Sequence, residues 1–281
     1  MSMKSILVPT ENHAAMKSAL ETALLLAQRC DSYMEGFALR FGINEFAAID
    51  MGGAIPLESF KQQSLEEAQQ ARSLFESFMQ VRNVPRSNGS TASLSYSWSA
   101  DAADGEDFVG SYGRVFDVIV LSRTDGYTTG LHNKAIESGL FESGRPILIA
   151  PPSPPQQIAT NILIAWNCST EQARATALAM PLLEQAARVT VLTVVGGTAV
   201  PGPSAEQLIR YLERNKISAE SLVVELGNRS TGEAILATAA SLGCDLLIKG
   251  AYTQSRLRQM IFGGATRHIL SNSVLPVLLA N

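Results

Sequence analysis

The sequence lacks several features that would point directly to a function. Its three cysteines, Cys30, Cys168 and Cys244, are odd in number and far apart, so they form neither a disulfide framework nor a zinc-binding pattern. No apolar run approaches the ~18 residues of a membrane helix. The residues from Met1 to Thr10 indicate a strand rather than a secretory signal. We therefore expect a cytoplasmic protein that has no membrane contact.

Charged residues are also scarce, at 17% of the 281 residues, and the formal net charge is −4. The chain contains no basic run, so the sequence does not indicate a nucleic-acid partner. Hydrophobic residues make up 46% of the chain, which is enough for ordinary buried cores and argues against disorder. The length predicts two domains.

Three short apolar segments occur twice in the same order. Consecutive apolar positions of this kind are typical of strands covered on both faces, as in a parallel sheet. A proline cluster from Pro151 to Pro155 separates the two sets and predicts a stiff linker. We place the first domain at residues 1–150 and the second at residues 158–281. The matching segments are 4–10 with 160–166, 117–121 with 245–249, and 145–150 with 275–280.

Helical patterns alternate with these strands in both halves. The long helix expected at about 57–80 belongs to the first half. In the second half, Pro181 is expected to kink a helix over 171–187, and Ser230 to Glu233 resemble a helix start. Alternation of this kind predicts an α/β fold. We expect two flavodoxin-like open parallel five-stranded sheets with helices on both faces, arranged as a pseudo-twofold tandem.

Ligands of such sheets bind beyond the carboxyl ends of the strands, where the strand order reverses. In the second half, this edge should hold the residues that follow the first and fourth strands. Gly263 and Gly264 are expected to form a turn that opens a helix from about Ala265. Free N–H groups and the positive end of that helix suit a phosphate, to which Arg256, Arg258 and Arg267 could add charge. Lys249 either meets that phosphate or ends its strand in solvent, and the second alternative is favoured.

At this loop the sequence resembles the universal stress protein family. That family has the pattern Gly-x2-Gly-x9-Gly-Ser/Thr after its fourth strand. The corresponding residues here are Gly250, Thr253, Gly263 and Gly264, with the spacing kept. Threonine thus replaces the second glycine, and glycine replaces the final Ser/Thr, for which Thr266 could substitute. The two-half layout and the terminal strand also resemble a tandem member of the family.

The resemblance implies an adenine-nucleotide-hydrolase-like fold and the binding of ATP or another adenine nucleotide, with Mg²⁺ as a companion ion. Asn167 stands where family members often have aspartate. In the family, partners join through their last strands, which predicts an intramolecular pseudo-dimer here and leaves a homodimer open. The implied nucleotide-binding residues are Ala165, Trp166, Asn167, Val194, Lys249, Gly250, Thr253, Gly263, Gly264, Ala265 and Thr266.

The first half departs further from the family pattern, since no Gly-x9-Gly-Ser/Thr follows its fourth strand between Gly126 and Gly139. We expect it to be degenerate for nucleotide and to supply an interface or a different small-ligand pocket. Sequence inspection finds no nucleophile elbow, no paired histidine and carboxylate, and no metal cluster.

These observations favour a stress-response regulator that binds nucleotide in the second half. Two alternatives stay open, namely an interaction module of the same fold that has lost its ligand, and a slow ATPase.

Overall fold

The computed structural model describes residues 3–40, 57–89, 93–100, 107–123, 130–251 and 264–281. The chain divides into two compact units, an N-terminal unit of residues 2–145 and a C-terminal unit of residues 146–281. Thr253 and Gly263, together with Arg256 and Arg258, lie outside the described residues. Within the described part of the chain, no helix is both long enough and apolar enough to span a bilayer.

The N-terminal unit alternates strands with helices, as the hydrophobic pattern predicts. Among its described residues, four strands are parallel and lie in the order β3-β2-β1-β4. The elements are β1 (Ser5–Thr10), α1 (Met16–Cys30), β2 (Tyr33–Ala38), α2 (Leu57–Val81), β3 (Ser95–Trp98), α3 (Asp107–Gly113), β4 (Val118–Leu121) and α4 (Gly130–Glu142).

The C-terminal unit has a sheet in the order β5-β10-β9-β6-β7-β8. Its strands are parallel except that β5 runs antiparallel to β10, with Leu148 opposite Leu278. The elements are β5 (Ile147–Ile149), β6 (Asn161–Ala165), α5 (Thr170–Leu178), α6 (Met180–Leu183), β7 (Arg188–Val195), α7 (Ala205–Arg214), β8 (Glu220–Glu225), α8 (Thr231–Ser241), β9 (Leu246–Gly250), α9 (Gly264–Asn272) and β10 (Val277–Ala280).

The same anchor is present at the start of β1 in the N-terminal unit and of β6 in the C-terminal unit. The Asp117 carboxylate accepts hydrogen bonds from the backbone N–H groups of Lys4 and Ser5, at 2.7 and 2.9 Å. The Asp245 carboxylate accepts from those of Thr160 and Asn161, both at 2.9 Å. Because a carboxylate can satisfy two adjacent donors at once, each aspartate fixes the register between two neighbouring strands. The contact explains why an aspartate opens both copies of the repeated apolar segment.

The helix ends follow local chemistry. Ser230 and Glu233 form the expected capping box at the start of α8, and Gly243 follows its end with a positive φ of 61°. Pro181 has a stronger effect than the expected kink. It stands in the first turn of a separate short helix, α6, because a proline ring cannot continue the hydrogen-bond ladder of α5.

Candidate functional site

The carboxyl ends of β6 and β9 form the candidate site of the C-terminal unit. β6 lies between β7 and β9, with Ala165 paired with Leu192 on one side and Ile164 with Ile248 on the other. The chain leaves β6 towards β7, whereas β9 lies on the opposite side of β6. The strand order therefore reverses between β6 and β9, which is where an open parallel sheet leaves room for a ligand.

Lys249 is buried at the end of β9, so the favoured expectation that it ends the strand in solvent is wrong. Its side chain is 8% exposed, and Nζ donates to the Gly250 carbonyl at 2.8 Å and to the Thr266 hydroxyl at 3.0 Å. Both partners are neutral, and among the described residues no carboxylate forms an ion pair with this ammonium. Burial lowers the pKa of Lys249 to about 8.

Thr266 connects this lysine to the first turn of α9. The helix begins at Gly264, one residue earlier than expected, and Thr266 is buried in its first turn. A Cβ added at Gly264 would meet no atom of the described chain within 4 Å, so the N-terminal end of α9 is open at this point. The first N–H groups of a helix have no intrahelical acceptor. The ammonium, the hydroxyl and the helix terminus therefore lie close together, and their positive charge and hydrogen-bond donors suit an anion.

Gly250 has a structural reason to be glycine. A Cβ at this position would lie 2.3 Å from the Gln172 backbone nitrogen and 2.6 Å from the Glu171 carbonyl carbon, so β9 packs directly on the first turn of α5. The Gly250 N–H donates to Oε1 of Gln172 at 2.7 Å. The amide is therefore engaged within the protein. The sequence alone gave no sign of this role for Gln172.

Trp166 lies in the core rather than on an open surface. It is 5% exposed, and its indole Nε1 donates to the Pro203 carbonyl at 2.8 Å. The sequence left two alternatives for Trp166, base stacking and core packing, and the structure supports core packing. The indole positions the segment around Pro203 beside the loop that follows β6.

The remaining expected residues lie around the same edge. Ala165 is buried, and Val194 is half-buried opposite Val224 of β8. Asn167 is half-buried and accepts a hydrogen bond from the Ser169 N–H at 3.2 Å, which shapes the turn into α5. Ala265, in the first turn of α9, is also half-buried.

The corresponding edge of the N-terminal unit carries different chemistry. The anchoring aspartates align Leu121 with Lys249, and Ser122 with Gly250. The Ser122 hydroxyl lies 3.3 Å from Nε2 of His13, and the same nitrogen lies 3.5 Å from a Glu11 carboxylate oxygen. The expectation that no histidine pairs with a carboxylate is therefore wrong. The fold joins Ser122 to a histidine 109 positions away, and the local sequence pattern gives no sign of this contact.

The comparisons with known proteins agree with this architecture. Residues 159–281 match the model of the Universal stress protein family. The match indicates a universal stress protein domain in the C-terminal region of the chain. Comparison with curated proteins gives no match.

Solved structures resemble the whole chain. A universal stress protein from Archaeoglobus fulgidus DSM 4304 superposes with a TM-score of 0.73 at 12% identity, covering 100% of this chain and 99% of that one. A protein assigned to the universal stress proteins in Pseudomonas aeruginosa UCBPP-PA14 gives a TM-score of 0.51 at 16% identity, over 99% and 93% of the two chains. At these identities the likeness shows the fold alone.

Proposed function

We propose that this protein is a universal stress-type regulator that binds ATP or a related adenine nucleotide at the carboxyl ends of β6 and β9. The observation that carries the proposal is the buried ammonium of Lys249. A charge removed from water is costly unless a counter-charge or a set of strong hydrogen bonds compensates. A phosphate at the start of α9 would supply that counter-charge.

Three further features support a phosphate at this position. Gly264 is open, the first N–H groups of α9 have no acceptor within the helix, and the Thr266 hydroxyl lies against the ammonium. Thr266 thereby offers the hydroxyl that the sequence pattern lacks after Gly263. The nucleotide-binding residues proposed for this site, Ala165, Asn167, Val194, Lys249, Gly250, Thr253, Gly263, Gly264, Ala265 and Thr266, surround one edge of the sheet or belong to the segment that links β9 to α9.

We extend the proposal to the whole chain as a cytoplasmic tandem of two universal stress protein-like domains. The matching aspartate anchors of the two units support this reading, as does the full-length likeness to the Archaeoglobus structure. The antiparallel pairing of β5 with β10 supports an intramolecular pseudo-dimer joined through the last strand of each domain.

The test is to denature freshly purified protein and analyse the released small molecules by mass spectrometry. Calorimetric titration of the nucleotide-free protein then compares ATP, ADP and adenosine, each with and without Mg²⁺. We expect ATP or ADP to bind at least tenfold more tightly than adenosine, because the ammonium and the helix terminus act on phosphate. Equal affinities for ATP and adenosine would contradict a role for Lys249.

A second candidate, an interaction module without nucleotide, is favoured by the engaged Gly250 amide and the buried indole of Trp166. Under this function none of the three ligands binds. If Lys249 is buried for structural reasons alone, added phosphate should not bind the protein. Inorganic phosphate at millimolar concentration therefore discriminates between the two functions.

A further inference from the structure

A groove runs between α1 and α2 on the surface of the N-terminal unit. Its volume is about 790 Å³, and small-molecule sites typically occupy about 300–1,000 Å³. Helices in direct contact lie about 8–10 Å apart and interlock their side chains. A space of this size therefore means that α1 and α2 do not interlock along this face. The residues that line the groove are all different from those of the proposed nucleotide site.

Two polar contacts bridge the groove, one near each end. Nδ2 of Asn12, in the loop before α1, donates to Oε1 of Gln70 at 2.6 Å. Further along both helices, Arg82 forms an ion pair with Glu21. The stretch from Gln70 to Arg82 corresponds to roughly 18 Å of helix. The groove between the two bridges is therefore long enough for an extended chain molecule.

The inner surface of the groove is apolar. Leu74, Phe78 and Val81 share one face of α2 and form a second apolar stripe on this helix. The core-facing stripe is separate and consists of Ala71, Phe75 and Met79. The buried Leu20 of α1 lines the groove opposite the second stripe. Leu74 and Phe78 are half-buried and Val81 is 78% exposed, so an apolar ligand would remove part of this stripe from water.

The charges along the groove leave one cation without a counter-charge. Three charged residues line it, and two of them, Glu21 and Arg82, neutralise each other. The third, Lys17, is exposed and forms no hydrogen bond or ion pair with any residue that the structure describes. It lies in the first turn of α1, which contains no acidic residue and has the positive end of the helix dipole. The groove is therefore positive at its Lys17 end and neutral at the other.

The two repeats differ at this groove. Helix α2 has 25 residues, whereas α7, the second helix of the C-terminal repeat, has 10. The alignment that matches residues 4–10 with 160–166 places Ala173 opposite Lys17 and Ala177 opposite Glu21. The repeated fold can therefore be built without the charged side of the groove, which favours a role for these residues in binding.

We propose that the groove binds a free fatty acid of medium chain length, with its carboxylate beside Lys17 and its tail along the second apolar stripe. The attraction between carboxylate and ammonium sets the orientation, and the burial of apolar surface supplies most of the affinity. C–C bonds of about 1.5 Å give an extended chain an advance of about 1.3 Å per bond. A tail of about twelve to fourteen carbons therefore fills the roughly 18 Å between the bridges.

A chain-length series tests the proposal. The full-length protein is titrated calorimetrically with hexanoate, octanoate, decanoate, dodecanoate, tetradecanoate and hexadecanoate, each below its micelle concentration. We expect the affinity to rise about twofold or more for each added methylene, because each one buries further apolar surface. The rise should level off at about twelve to fourteen carbons, where the chain becomes longer than the groove.

Three variants locate the ligand. Lys17→Gln should weaken dodecanoate about threefold to fivefold, since an exposed ion pair contributes modestly. It should not weaken dodecyltrimethylammonium, which has the same tail and the opposite charge. Lys61→Gln is the matched control, because Lys61 of α2 pairs with Glu58, and should bind dodecanoate like the wild type. Ser77→Trp, at an exposed position that lines the groove, should weaken both ligands about tenfold or more by filling the space for the tail.

Urea denaturation shows whether each variant is folded. A wild-type protein that binds none of the fatty acids would overturn the proposal. An affinity that keeps rising to hexadecanoate and survives Ser77→Trp would also overturn it, since a detergent that coats apolar surface behaves in this way. Equal wild-type affinities for dodecanoate and dodecyltrimethylammonium would contradict the place of the carboxylate beside Lys17. These outcomes do not bear on nucleotide binding, because the two sites share no residue.

Discussion

The ammonium of Lys249 lies 3.0 Å from the Thr266 hydroxyl, which joins the end of β9 to the first turn of α9. No described carboxylate accompanies this pair, although Lys249 is almost entirely buried. A buried ammonium without a counter-charge destabilises the ligand-free protein, and an anion that binds beside it stabilises the folded state.

Replacing Lys249 by methionine should stabilise the ligand-free protein. A one-unit pKa shift corresponds to about 1.4 kcal/mol, so a pKa lowered to about 8 implies a penalty of the order of 3 kcal/mol, reduced by the two lost hydrogen bonds. Urea denaturation of wild type and Lys249→Met at pH 7 measures the difference. The exposed Lys17→Met variant is the control and should change stability by no more than about 0.5 kcal/mol.

The same pair of proteins gives a prediction for pH. The folded-state pKa of Lys249 lies below its unfolded value, so the penalty is complete below pH 8. Above pH 8 the folded protein releases the proton while the unfolded chain retains it, and folding becomes more favourable. The advantage of Lys249→Met should therefore shrink between pH 8 and about pH 10.5. A difference that stays constant over this range would contradict the assignment of the charge.

Glycine substitutions should distinguish packing from ligand contact. Gly250→Ala would force its new methyl group onto the α5 backbone and should cost about 2 kcal/mol or more. Gly264→Ala meets open space at the start of α9 and should change stability by less than about 1 kcal/mol. The second variant should nevertheless bind ATP more weakly if phosphate approaches this backbone closely. Denaturation and calorimetric titration provide the two measurements.

The two anchoring aspartates should be structural in both units. Asp117→Ala and Asp245→Ala each leave two backbone N–H groups, at the start of β1 and of β6 respectively, without their acceptor. We expect each to destabilise the protein by about 2 to 4 kcal/mol, measured as a shift in the urea midpoint. Asp245→Asn retains one carbonyl oxygen and should cost less. An unchanged midpoint in both alanine variants would show that the anchors do not hold the strands.

The three cysteines should react at very different rates with a thiol reagent at pH 8. Burial raises the pKa of Cys244 to about 11 and also raises the pKa of the Cys30 thiol, so both are mostly protonated and slow. Cys168 is half-buried in the loop between β6 and α5 and should react first. Peptide mass spectrometry after brief labelling checks the order. ATP should slow the reaction at Cys168 and leave Cys30 unaffected.

Much of the architecture could be predicted because buried parallel strands leave a strong trace in the sequence. The repeated apolar segments, the capping box at Ser230 and the long helix from Leu57 all follow from local patterns. The site was harder to predict because burial depends on distant residues. Lys249 reads as a strand-end lysine until Thr266 is placed beside it. Likewise, Gly250 reads as a ligand glycine until α5 is seen to pack on it.

The charged residues differ between the two units, so the chemistry of one repeat does not predict the chemistry of the other. Both edges derive from matching segments, yet Leu121 replaces Lys249 and Glu11 replaces Asn167. Hydrophobic periodicity does not reveal such exchanges, because each one keeps the strand or turn in which it occurs. The chemistry becomes visible only where the fold brings the ends of two strands together.

Thermal or urea unfolding with ATP, performed on wild type and on Lys249→Met, tests the central claim most directly. At a free concentration of 100 times its dissociation constant, ATP should stabilise the wild-type protein by about 2.7 kcal/mol. The more stable Lys249→Met variant should gain much less at the same concentration. A wild-type protein that ATP leaves unchanged, or a variant that responds as strongly as wild type, would contradict the account.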